Sequence, residues 1–161
     1  MSWLMIAFIG CELLVVLFIA LHDWVPLGKL SNPLAIRAAD ARSRLLVVTV
    51  ISALPYAIGL AASAHYATTG FPVWLGYWLW ISYIAGLYGM LRAWWVPYLL
   101  LEDPVRAARY QARFANTQSF LPTRNGIRPD TLHVCFHGVF LLTLILLCVL
   151  TFSTHVILPD R

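Results

Sequence analysis

Four apolar runs, at about Ser2–Leu21, Leu45–His65, Val73–Leu91 and Leu132–Thr154, constrain this chain more than any other feature. A hydrocarbon core of about 30 Å takes about 20 helical residues at 1.5 Å each, so every run is long enough to cross one. A residue composition that is 61% hydrophobic, with a mean hydropathy of +0.78, lies outside the soluble range. The predicted fold is all-α: a polytopic integral membrane protein, a four-transmembrane-helix bundle forming a single membrane domain over residues 1–161. The runs leave no room for a soluble catalytic domain, so any chemistry has to come from the helices and their connections.

Charge sets the orientation. Lys29, Arg37, Arg42 and Arg44 lie between the first and second runs, and Arg92, Arg106, Arg109, Arg113, Arg124 and Arg128 between the third and fourth. The connection from Tyr66 to Pro72 carries no charge. Basic side chains resist translocation, which makes loops 22–44 and 92–131 cytoplasmic and both termini external (N-out/C-out) in the cell's inner or plasma membrane. The first run lacks a positive n-region, so an uncleaved helix is expected there instead of a signal peptide. Cys11, Cys135 and Cys148 lie within apolar runs and are expected to be reduced. The net charge of +4 then points to membrane lipids as partners, not to nucleic acid.

Several local signals add detail. Asn32-Pro33 reads as a helix start, and that helix is expected to run through Leu34–Arg44 straight into run two. Pro55, near the middle of run two, is expected to kink it. Gly59 and Ser63 in run two, and Gly76, Ser82, Ala85, Gly86 and Gly89 in run three, allow close helix packing, within the bundle or in a homo-oligomer. Asp103-Pro104 should open an interfacial amphipathic helix with Val105, Ala108, Ala112 and Ala115 on one face and Arg106, Arg109 and Arg113 meeting lipid phosphates. The segment Phe120–Asp130, with two prolines and an Asn-Gly turn, reads as shaped, and Asp130 as the cap of the fourth helix.

Counting from the middle of each run puts His22 and His133 about 15 Å, and His137 about 10 Å, to the cytoplasmic side. His133 and His137 are four apart and share a helix face, with His22-Asp23 at the matching depth. Such imidazoles and a carboxylate suit a divalent metal held by His22, His133 and His137, an acid–base pair, or the polar group of a lipid or quinone. Glu12 lies at mid-depth, where a charged carboxylate is costly, near Ser52, Tyr56 and Tyr83. These residues are expected to line an intramembrane pocket with Glu12 at its floor and His22 near its mouth. A less favoured arrangement adds His65 and His155 at the outer side to make two bis-histidine haem sites.

In size and topology the chain resembles the eicosanoid and glutathione-linked membrane enzymes. Their Arg, Asn and Glu pattern on the second helix has no counterpart between Arg44 and His65, so the resemblance carries no residue across. The function expected from the residues is a cytoplasm-facing polar pocket that takes a lipid, quinone or other amphipathic small molecule, with His22, Asp23, His133, His137 and Glu12 as its binding groups. A metal-dependent membrane enzyme built on the same cluster is the first alternative. A self-associating transport or structural bundle is the second.

Overall fold

The structure is a computed structural model that describes residues 1–114 and 116–153, so Ala115 and His155 lie outside the described residues. These residues form helices α1 (Trp3–Leu21), α2 (Pro33–Ala39), α3 (Arg42–His65), α4 (Val73–Met90), α5 (Val96–Leu99), α6 (Pro104–Phe114) and α7 (Thr131–Ser153). A 3-10 turn occupies Gly28–Leu30 and a π turn occupies Leu91–Trp95. Three helices, Trp3–Leu21, Arg42–His65 and Thr131–Phe152, are long and apolar enough to cross a membrane. The fourth candidate is Val73–Leu99, which bends by 105° into Pro104–Phe114.

The long helices pack in a ring: α1 lies against α3 and α7, and α4 closes the ring by touching both α3 and α7. Phe8, Val15, Leu75, Leu79, Tyr83, Phe140, Leu147 and Leu150 fill the centre. The outward faces are apolar as well: Leu14, Ile51, Ile81 and Ile145 are all exposed. Several of the small residues of runs two and three serve packing inside the ring. Gly59 and Ser63 are buried on α3, and a Cβ at Gly86 would fall 2.0 Å from the Tyr56 hydroxyl and 2.6 Å from Phe140. That contact places Gly86 between its own bundle's helices, away from the self-association face its spacing suggests.

One sequence expectation changes. The helix opened by Asn32, whose side chain accepts from Ala35 N–H at 3.2 Å, does not run into α3. It stops at Asp40, whose backbone is extended, and Arg42 starts a new helix. Asp40 faces Arg113 of α6 and Arg44 of α3, so the break turns one carboxylate toward two guanidinium groups. On α6, Val105, Ala108 and Ala112 are exposed together, and a second face, Ala107, Tyr110 and Phe114, turns to the bundle.

The third run extends past Leu91 because α4 widens there into the π turn, where Val96 N–H reaches back to Leu91 O. Pro97 has no N–H, so the carbonyls of Arg92 and Ala93 lose the backbone donor they would meet in π and α register. α6 supplies the donors: the Arg106 guanidinium bonds Arg92 O, and the Tyr110 hydroxyl bonds Ala93 O, each at 2.5 Å. A single proline thus fixes where the amphipathic helix docks.

The segment before α7 is held as tightly. Arg124 and Ile127 pair across Asn125-Gly126, both at positive φ (51° and 71°). Asn125 donates to the carbonyls of Pro97 and Tyr98, the Tyr98 hydroxyl donates to Pro122 O, and Ile127 is fully buried. Gly126 packs so closely that a Cβ there would come within 2.8 Å of Ala107 Cβ. Asp130 at the end of this segment is set in place before α7 begins.

Candidate functional site

The expected imidazole cluster forms, and a carboxyl that the sequence marks only as a helix cap organises it. Asp130, buried, accepts from His133 N–H at 2.9 Å through Oδ1, which caps α7. Its Oδ2 takes the proton of His133 Nδ1 at 2.7 Å. That bond sets the tautomer: a neutral His133 carries its proton on Nδ1 and keeps the lone pair on Nε2. His22 is held differently. Its Nδ1–H donates to Phe18 O at 2.9 Å, and its Nε2 lies 3.2 Å from Asp23 Oδ1. Burial pushes His22 below the usual imidazole range; Asp23 opposes this and His133 adds to it.

Aromatic rings fix all three imidazoles. His22 stacks on Phe18 (centroids 4.6 Å apart) and meets His133 edge-on at 5.4 Å. Trp94, from the π turn, lies 4.5 Å from His133 and stacks on Tyr110 at 4.6 Å. His137, one turn further along α7, packs near Trp94 and Trp95, and its Nδ1 is buried with no hydrogen-bond partner.

Among the described residues, no three His, Cys, Asp or Glu side chains are grouped so as to hold a metal ion. His22, His133 and His137 come to one end of the bundle, with ring centroids 5.4 Å (His22–His133) and 6.3 Å (His133–His137) apart, without making such a group. Of the proposed haem ligands, His65 sits at the far end of α3 against Tyr66.

The cluster borders a cavity of about 750 Å³ between α1, α3, α4 and α7. His22, His133 and His137 lie on its wall, with Ser52, Tyr56 and Ser82 the other polar side chains. The rest is apolar, including Phe18, Pro55, Trp78, Met90, Phe136 and Phe140. Ile51, Ser52, Ile81, Ala85 and Gly89 on the same wall are exposed, so the cavity opens sideways between α3 and α4. Deeper in, Tyr56 donates to Ser82 O at 3.1 Å and packs against Phe140 and Tyr83. Trp78 ties the same two helices by donating to Pro55 O at 2.9 Å.

Glu12, Asp23 and Tyr83 stand outside this wall. Asp23 reaches it only through His22. Glu12 is not the cavity floor: its carboxyl lies over Gly59, where the missing side chain leaves it room, beside Ser63. Neither carboxyl oxygen, nor Ser63 Oγ, nor the Tyr83 hydroxyl finds a hydrogen-bond partner.

Arg106, Arg109 and Arg113, expected at lipid phosphates, line a separate hollow of about 320 Å³ with Arg92 and Tyr110. Asp130 and Arg92 are the site residues that sequence reasoning missed. The spacing Asp130 to His133 was the available signal for the first, because an N-cap residue reaches the side chain at its third helical position. No protein-family model matches the chain, and no curated protein or solved structure is significantly similar to it.

Proposed function

We propose that the chain is an integral membrane protein crossing the bilayer four times, with both basic connections in the cytoplasm, and that its lateral cavity binds an amphipathic small molecule of the lipid or quinone type. His137 carries this reading. Its imidazole lines the wall of a cavity wide enough for a small amphiphile, so a polar group on the ligand can meet the ring there. Three further features support it. The wall is largely apolar, as a chain-bearing ligand requires. The mouth lies between helices whose outer faces are lipid-like, so a ligand can enter from the hydrocarbon phase. The polar end holds His133 with its tautomer fixed by Asp130, so an acceptor nitrogen is kept in one orientation at that end of the cavity.

Native mass spectrometry of protein extracted in mild detergent tests the proposal. Wild type should retain a stoichiometric amphiphile. Ala85→Trp, which fills the exposed wall of the cavity, should lose it without unfolding. Wild type free of any bound amphiphile after gentle extraction, and taking up none when resupplied, would overturn the proposal.

A further inference from the structure

The arginine hollow and the lateral cavity are neighbours. Gly89 and Ala93 of the α4–π segment line both. Neither has a side chain beyond Cβ, and a Cβ built at Gly89 would meet nothing within 4 Å, so no side chain fills the space where the two hollows adjoin. The two spaces differ sharply in chemistry: one is apolar with an imidazole end, the other is lined by four guanidinium groups and the Tyr110 ring.

Those guanidinium groups are only half neutralised. Arg113 pairs with Asp40, and Arg106 lies 3.4 Å from Asp103 while bonding Arg92 O. Among the described residues, Arg92 and Arg109 have no carboxylate or hydrogen-bond partner on their side chains, which leaves two positive charges uncompensated. Arg113 adds a buried Nε–H that no acceptor meets. Unmatched guanidinium donors around a small hollow fit a phosphate, whose oxygens accept several N–H bonds at once and whose dianion matches the surplus charge.

We infer that the ligand of the lateral cavity is a phosphate-headed lipid, its phosphate held by Arg92, Arg109 and Arg113 in the hollow and its chain passing Gly89 into the apolar cavity. This rests on the cavity being a ligand site, and it narrows the ligand class from amphiphiles in general to anionic phosphate monoesters. The hollow explains an otherwise odd placement: Arg92 lies on the π turn, just before Pro97 strips the neighbouring carbonyls of backbone donors, so the same distortion that docks α6 brings the four arginines together.

The test is a set of binding titrations on the full chain in neutral-lipid nanodiscs, with three probes: dodecyl phosphate, dodecanol and inorganic phosphate. The expected result is that dodecyl phosphate binds at least tenfold more tightly than either other probe. Arg92→Gln/Arg109→Gln, which removes only unpaired side chains, should abolish that preference and leave dodecanol binding unchanged. Gly89→Trp should block dodecyl phosphate by closing the passage. Inorganic phosphate binding as tightly as dodecyl phosphate would show an isolated anion site and overturn the inference. Dodecanol and dodecyl phosphate binding alike, in wild type and in the arginine variant, would also overturn it while leaving the cavity's role as an amphiphile site intact. Binding of none of the probes would overturn both.

Discussion

Asp130 uses both carboxyl oxygens on one residue: Oδ1 caps α7 at the His133 N–H, and Oδ2 holds His133 Nδ1 at 2.7 Å. Helix start and imidazole orientation are therefore the same structural event. The bonds separate by substitution. Asp130→Asn retains an oxygen for the cap but loses the carboxylate that fixes the tautomer, whereas Asp130→Ala loses both. Asp130→Ala is expected to destabilise by about 2–3 kcal/mol, and Asp130→Asn by about half of that, in thermal unfolding in detergent. Equal losses in the two variants would show that the cap adds nothing beyond the His133 bond, and an Asp130→Asn variant as stable as wild type would show that the His133 bond contributes nothing.

Gly86 is the tightest point between α3, α4 and α7. Gly86→Ala places a methyl 2.0 Å from the Tyr56 hydroxyl and 2.6 Å from Phe140, and should destabilise by about 1–3 kcal/mol. Gly89→Ala, three residues on in open space, should be neutral or slightly stabilising, since alanine favours the helix. Adding Tyr56→Phe to Gly86→Ala should cost less than the sum of the two single changes, because the clash and the hydroxyl are removed together. Strict additivity would place Gly86 away from Tyr56.

His22 gives the fold a dependence on acid. Burial holds its folded pKa below the usual value of 6.5, with Asp23 opposing and His133 reinforcing the shift. Between the folded and unfolded values the unfolded chain binds more protons, so stability rises with pH. The contribution is complete above about pH 6.5 and is lost as pH falls toward the folded pKa. Melting temperatures measured from pH 7.5 down to pH 5 should therefore decline, and His22→Gln should flatten that decline. A wild-type curve indistinguishable from that of His22→Gln would remove the proposed role.

Glu12 is expected to act against stability. Its carboxyl is 1% exposed, with the Ser63 hydroxyl beside it and no charged partner among the described residues, so burial costs it more than its neighbours return. Glu12→Met, close in volume and apolar, should raise stability by about 1–3 kcal/mol. It should not change ligand retention, because Glu12 is absent from the cavity wall. A variant that unfolds, or that loses the cavity ligand, would mean that the carboxyl serves an arrangement not seen here.

The apolar runs, the capping roles of Asn32 and Asp130 and the convergence of His22 with His133 were legible because each depends on local spacing and hydropathy. Depth counting brought the imidazoles to one level but could not place Glu12. Whether a mid-helix side chain faces a cavity or a neighbouring backbone depends on rotation about the helix axis, and α1 is apolar all round. The face by which α6 docks on the bundle was not legible for a related reason. Alanine is small enough for either side, and the docking face was set by Tyr110 and Phe114 reaching the π turn that Pro97 creates. The break at Asp40 had no local signal, because the carboxylate turns toward Arg113, 73 residues away.

Photo-cross-linking with a lipid that carries a diazirine in its chain, followed by peptide mapping, tests the central claim most directly. A ligand in the lateral cavity predicts label concentrated on Tyr56, Phe136 and Phe140, and its loss in Ala85→Trp. Label spread over outward residues such as Leu14, Ile145 and Phe152, unchanged by Ala85→Trp, would contradict it.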